Sequence, residues 1–180
     1  MNHLGTIELK TDRLILREFK ETDAEAIFNS FINNEDFLYY ANKEPRSLEQ
    51  EKESLKDIEK KYENKEYYNW LITLKDGIVI GSINLNVDNY NESLEFNYAI
   101  DNKYQKKGYM TEALNSVKEF AINSLRVNRF FGGCEINNIA SQRVMEKSGL
   151  KYEGVLRNYL KLIDGYHDMK IYSFINKIDN

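Results

Sequence analysis

The stretch with the clearest chemical meaning runs from Tyr98 to Ala113, Tyr-Ala-Ile-Asp-Asn-Lys-Tyr-Gln-Lys-Lys-Gly-Tyr-Met-Thr-Glu-Ala. Its centre is Gln105, Lys106, Lys107, Gly108, Tyr109, Met110 and Thr111. Before it, Leu94 to Ile100 alternates apolar and polar residues as a strand does. After it, Met110, Ala113, Leu114, Val117 and Ala121 recur at helical spacing. A strand, a short basic turn and a helix start aim backbone N–H groups at an anion. The donors of a helix's first turn have no partner within the helix, and its dipole favours negative charge. Gly108 has no Cβ to hold an oxyanion off. The segment suits a pyrophosphate, and it equally suits an ordinary strand-to-helix turn with solvated lysines. It is neither a Walker loop nor a Gly-x-Gly-x-x-Gly fingerprint.

A second chemical candidate is Cys134, which with His167 and Asp168 has the residue types of a nucleophilic set. Sequence does not bring the three together, and a lone cysteine on a strand also reads as buried packing. With two histidines in the chain and no ligand spacing around them, no metal site is expected.

The elements that must position these residues can be read in order. Asp12 to Arg17 reads as a first strand. Thr22-Asp23-Ala24-Glu25 has the pattern of a capping box, opening a helix whose stripe is Ala24, Ile27, Phe28 and Phe31. Residues 33–46 are polar and aromatic and break at Pro45; Phe37, Tyr39 and Tyr40 there suit either a pocket wall or packing. Ser47-Leu48-Glu49-Gln50 is a second capping box, and the helix it opens, to about Tyr62, has a thin apolar side that suits the surface. Tyr68–Leu74 and Ile78–Leu85 form a hairpin through Asp76-Gly77, and a looser turn over Asp88–Glu92 leads to the strand Leu94–Ile100. A helix from about Thr111 to Ser124, a strand Arg129–Ile136 and a helix between Asn138 and Gly149 follow. The remainder reads as a short strand at Leu150–Glu153, a connection through Tyr159 and a last strand His167–Ile175. Three successive antiparallel strands feeding a helix suit an α+β sheet rather than a doubly wound one.

The bulk numbers narrow the function classes. The 180 residues are expected to form a single domain, 1–180, with a substantial core. A hydrophobic fraction of 42% and a charged fraction of 30% suit a globular protein, and a net charge of −4 argues against nucleic-acid binding. The one cysteine fits a reducing compartment, here the cytoplasm. No leader and no apolar run near 18 residues is legible, so neither export nor membrane insertion is expected.

Gln105-Lys106-Lys107-Gly108-Tyr109-Met110 resembles the Gln/Arg-x-x-Gly-x-Gly/Ala signature of the GNAT acetyltransferase superfamily, with Met110 in place of the small last residue. Gly-Tyr-Met-Thr-Glu-Ala and the opening TDRLILREFKETDAEAI resemble the branch that contains the ribosomal-protein N-terminal acetyltransferases, the Rim type. NIASQRVMEKSGLKYEG resembles that family's second block, with Leu150 where a phenylalanine is usual, and GYHDMKIYSFI resembles its end. The likeness spans roughly residues 10–176.

The resemblance implies an α/β/α sandwich. Its mixed, mostly antiparallel twisted sheet would have about six to seven strands and a splayed central strand. It also implies acetyl-CoA as co-substrate, a primary amine as acceptor and, as often in the family, a homodimer. Gln105 to Thr111 would bind the pyrophosphate. Tyr98, Ala99 and Ile100 would offer main-chain groups to the pantetheine and thioester, and Asn138 would hydrogen-bond the pantetheine arm. Ser141 would lie near the sulfur, and Arg143 and Lys147 near the nucleotide phosphates. Arg143 and Lys147 also suit a solvated helix face.

The amine must be neutral to attack. A lysine is about 0.1% neutral near pH 7.4, a cost of about 4 kcal/mol, whereas an α-amine costs well under about 1 kcal/mol. A protein N-terminus is therefore the expected acceptor, with small amines such as polyamines, aminoglycosides or amino-acid analogues as the alternative, and a non-catalytic acyl-CoA-binding module as the rival class. Glu95 is the expected base, Ser141 the expected acid, and Tyr109 or Tyr159 the next candidates for the acid.

Overall fold

The computed structural model describes residues 1–176. Its strands are β1 (Leu9–Lys10), β2 (Leu14–Arg17), β3 (Tyr68–Leu74), β4 (Val79–Asp88), β5 (Ser93–Ile100), β6 (Arg129–Glu135), β7 (Lys151–Leu162) and β8 (Gly165–Ile175). The helices are α1 (Ala24–Phe28), α2 (Glu35–Ala41), α3 (Leu48–Lys61), α4 (Tyr109–Phe120) and α5 (Ile139–Lys147). All eight strands join one sheet in the order β1-β2-β3-β4-β5-β6-β8-β7, where six or seven were expected. β5 and β6 are parallel, joined across α4; the other neighbours are antiparallel.

The sheet separates two cores, and β3 shows how its sequence does so. Side chains alternate across a strand. Tyr68, Trp70 and Ile72 face the side where Met110, Ala113, Leu114, Val117 and Phe120 of α4 pack. Leu71 faces the other side, with Ile27 of α1, Leu55 of α3 and Phe31 of the turn after α1. The Trp70 ring is fully buried, and its Nε1 donates to the Ile7 carbonyl at 2.7 Å, so its polar atom is satisfied.

Several local expectations need correction. The 3-10 turn Glu21–Asp23 precedes α1, and Asp23, not Thr22, does the capping. Its carboxylate accepts from Lys20 N–H at 2.8 Å and pairs with Arg17 at 2.7 Å, so it closes the 3-10 turn, while α1 itself has no side-chain cap. The Ser47–Gln50 box forms, with both reciprocal bonds. The helix it opens, α3, is less superficial than its composition suggested, because Leu55 is fully buried against the second core.

Within the polar stretch 33–46 lies α2, capped by Asn34 at the Phe37 N–H and ended by Asn42 at φ 49°. It buries no residue fully, which is why no apolar stripe announced it. The supposed connection through Tyr159 is part of the twelve-residue strand β7. β7 is an outer strand, largely exposed, with register shifts at Tyr152/Gly154 and Leu156/Leu160 that erase the period of two.

Candidate active site

The parallel ladder between β5 and β6 is short. Ser93, Leu94 and Glu95 pair with Arg129, Phe130 and Phe131, and there the register ends. Phe96 to Ile100 remain paired to β4, and Gly132 to Glu135 remain paired to β8, so the two strands diverge while each is held from its outer side. Phe96 supplies the wedge. Its ring stacks on Phe130 with centroids 4.9 Å apart, and a Cβ placed on Gly132 would stand 2.5 Å from the ring. Only glycine leaves room for that ring, which is 2% exposed.

A cavity of about 1570 Å³ opens along this seam. One end reaches Tyr104, Gln105, Lys106, Gly108, Tyr109, Met110 and Thr111. There Lys106 has φ 59° and Gly108 has φ 82°, left-handed conformations that turn the chain into α4. The first main-chain bond of the helix runs from Glu112 N–H to Gly108 O at 3.0 Å, so the N–H groups of Tyr109, Met110 and Thr111 have no helical acceptor. Arg13 backs the turn from behind: its Nη1 donates to Lys107 O at 3.0 Å and its guanidinium lies 4.4 Å from the Tyr109 ring centre. Glu112 joins the same arrangement, accepting from Thr11 Oγ1 at 2.6 Å and from Arg13 N–H at 2.9 Å. Burial works against ionisation of Glu112, but these bonds hold its carboxyl below the usual range.

The middle of the cavity is walled by Tyr98, Ala99, Cys134, Asn138 and Ser141. Tyr98 Oη and Ser141 Oγ are 2.7 Å apart, and Tyr98 Oη also donates to Ser141 O at 3.3 Å. Burial pushes the Tyr98 phenol up, so it stays protonated and able to donate. Asn138 Oδ1 accepts from Ser141 N–H at 3.0 Å, which fixes the start of α5. Its Nδ2 donates to no protein acceptor among the described residues. Arg143 and Lys147 are exposed on the same rim.

The remaining wall includes Phe37 and Tyr40 of α2, Phe31 of the turn before it and Glu135 of β6. Tyr39 is absent from the lining; its hydroxyl donates to Asp164 at 3.2 Å.

Two residues singled out for chemistry lie elsewhere. Glu95 is not on the cavity wall; its carboxylate accepts from Asn86 Nδ2 at 3.3 Å on the paired part of β5. Tyr159, on the exposed face of β7, is likewise absent from the lining, whereas Tyr109 is part of it. Cys134, His167 and Asp168 do not form a set. Cys134 Sγ lies 3.8 Å from Asn138 O, and burial pushes its thiol up to about 11. His167 instead faces Asp164 and Glu135, and Asp168 accepts from Asn158 N–H. Glu135 and Arg13 were missed; the signals available were a carboxylate closing an apolar strand and an arginine opening one.

An open parallel seam ending at a basic helix start fits an extended ligand with a diphosphate at one end. Comparison with known proteins agrees. The chain matches the acetyltransferase (GNAT) domain model over residues 13–151. It is 31% identical over 169 residues to YoaA, an uncharacterized N-acetyltransferase of Bacillus subtilis, covering 93% of this chain and 96% of that one. It is 23% identical over 168 residues to the ribosomal-protein-serine acetyltransferase of Escherichia coli, covering 92% and 94%. The fold superposes with a TM-score of 0.80 on the RimL ribosomal L7/L12 α-N-protein acetyltransferase solved with coenzyme A, at 18% identity and covering 96% and 100%. The chain belongs to the GNAT acetyltransferase family and is an acetyl-CoA-dependent N-acetyltransferase.

Proposed function

We propose that the acceptor is the α-amine of a protein N-terminus, a ribosomal protein being the leading class, and that transfer is direct. The observation that carries this is the seam between Phe96–Ile100 and Gly132–Glu135, which supports a thioester laid beside the Tyr98–Ser141 pair with the acceptor entering past α2. In this reading Gln105 to Thr111 bind the pyrophosphate, Ala99 and Ile100 bind the pantetheine through main-chain groups, Asn138 donates its Nδ2 to the same arm, and Arg143 meets a nucleotide phosphate. Four or five hydrogen bonds to charged oxygens, each about 1.5–3 kcal/mol net, hold the co-substrate without any single indispensable side chain. The amine nitrogen attacks the thioester carbonyl, the C–S bond breaks, and Ser141, held by Tyr98, delivers a proton to the departing sulfur. Similarity to the ribosomal-protein-serine acetyltransferase and the low cost of deprotonating an α-amine both favour a terminal amine.

The test is CoA release, corrected for hydrolysis, with heptapeptides that begin with Ser or Ala and carry a free N-terminus, with the same peptides N-formylated, and with spermidine and an aminoglycoside. Saturable release with the free peptides alone is expected. Release with spermidine or the aminoglycoside but not with the peptides overturns the terminal-amine reading. Silence with every acceptor, while calorimetry shows acetyl-CoA bound, overturns the transfer reading in favour of an acyl-CoA-binding module.

A further inference from the structure

Glu135 is a charged group without a full counter-charge. It is 3% exposed, yet it lines the cavity. Its Oε2 accepts from Asn137 N–H at 2.7 Å and its Oε1 from Asn137 Nδ2 at 3.1 Å. Among the described residues it forms no ion pair with a lysine or arginine; the basic group beside it is the His167 imidazole, whose Nδ1 is 3.5 Å away. Glu51, the other buried carboxylate on this wall, is paired with Arg46 at 3.1 Å. A buried carboxylate left this way is costly unless a cation arrives. A carboxylate has about four acceptor positions, so those used by Asn137 do not exhaust it.

The surroundings extend the arrangement. His167 Nε2 lies 2.9 Å from Asp164 Oδ1, so the imidazole stands between two carboxylates, hydrogen-bonded to the exposed one and within 3.5 Å of the buried one. Tyr39 donates to the same Asp164, and its ring meets His167 edge-on at 6.3 Å. Tyr40, beside it on α2, lines the cavity. Glu135 belongs to the diverging part of β6, directly after Cys134, and by the alternation of the strand its side chain leaves the opposite face, toward His167 and α2.

We infer that Glu135 receives the acceptor's ammonium group and removes its proton, with His167 and Asp164 as positioning residues that carry the proton out. This rests on the amine-acetylation reading above and names the base for it. The ammonium gives one proton to the Glu135 carboxylate and becomes a neutral amine. The nitrogen then forms its bond to the acetyl carbon, the C–S bond breaks, and the second nitrogen proton reaches the sulfur through Ser141. Glu135 returns its proton through His167 to water. The sum is ammonium plus acetyl-CoA giving acetamide, CoA and one released proton. Tyr40 closes the acceptor side, and its ring suits a cation as well as a chain.

The experiment compares the wild-type chain with Glu135→Gln, Glu135→Asp and His167→Gln, using whichever panel acceptor the wild type turns over. The titratable groups about Glu135 are Cys134 beside it on its own strand, His167 on β8, Asp164 in the β7–β8 turn behind His167, and Tyr39 and Tyr40 on α2. The amide of Glu135→Gln keeps an acceptor for Asn137, so the fold is retained. Expected are an acetyl-CoA Kd within twofold of wild type, an unchanged thermal midpoint and a kcat/KM lower by about 100-fold, the low end for a general base. The acid limb of the pH profile is lost with it. Glu135→Asp restores part of the rate, and His167→Gln shifts the acid limb with a smaller loss. Undiminished kcat/KM in Glu135→Gln overturns the proposal, as does a loss matched by a fall in thermal midpoint, which assigns Glu135 to the turn alone. A wild-type chain that binds acetyl-CoA yet acetylates no amine overturns the reading beneath it, a result distinct from either.

Discussion

Arg13 and Glu112 are joined by a bond of 2.6 Å from Nε to Oε2, while the same guanidinium holds the carbonyl of Lys107 at 3.0 Å. One side chain from the start of β2 thus ties together both ends of the turn that opens α4. The turn's donors keep their aim only while its two ends are fixed, and Arg13 fixes them without touching the cavity side. Arg13→Ala should weaken acetyl-CoA binding by about 5- to 30-fold, the loss of charge-assisted bonds worth about 1–2 kcal/mol once exposure is allowed for. The turnover of the saturated enzyme should change little. Calorimetry against steady-state kcat checks it.

The side chains of Tyr98 and Ser141 share a hydrogen bond, so their contributions should not add. Ser141→Ala and Tyr98→Phe are each expected to lower kcat by about 10- to 100-fold, with acetyl-CoA affinity within threefold. The double variant should be no worse than the poorer single one. A product of the two losses would mean that the residues act separately.

Asn138 has two separable jobs, because Oδ1 caps α5 and Nδ2 is reserved for the co-substrate in the proposed reading. Asn138→Ala should lose the cap, costing about 1 kcal/mol of stability. Asn138→Asp keeps an acceptor for Ser141 N–H and loses the donor. It should retain the thermal midpoint and bind acetyl-CoA less tightly. Equal affinity in wild type and Asn138→Asp would remove the pantetheine role.

Glu153 on β7 is held by Arg129 and by Ser173, and these bonds bring its carboxyl down to about 2. A carboxyl depressed on folding adds stability above its unfolded value, near 4.5, and loses it as pH falls toward about 2. Between those limits the urea midpoint of wild type should fall more steeply than that of Glu153→Gln. The two curves should run parallel above about pH 5, where Glu153 is ionised in both states. A pH-independent difference throughout would show that the bonds tether β7 without a titrating component.

Much of this architecture is legible in the residue pattern, for reasons the structure makes plain. α4 announces itself because Met110, Ala113, Leu114 and Val117 are all buried on one side. The β3–β4 hairpin does so because Gly77 takes φ 91° in its turn. α2 and β7 escape notice because neither buries a regular face: α2 lies over a cavity and β7 is an outer strand interrupted by bulges. Glu135 was not legible for a different reason. The role proposed for it rests on its forming no ion pair with a lysine or arginine among the described residues, and that depends on how β6, β8 and α2 meet rather than on its neighbours in sequence. Glu95 lies one strand away with the same functional group, and its place on the paired part of β5, half-buried and off the cavity, distinguishes it from Glu135.

That short ladder has a consequence for the free protein. A sheet is ordinarily complete before any ligand comes, yet here two inner strands face each other with main-chain groups unspent, and the molecule carries an internal edge. Edges invite a partner strand, and in the proposed reading the co-substrate arm, carrying its own amides, is that partner. Binding then resembles the last step of folding, closing a gap that the polypeptide leaves in itself.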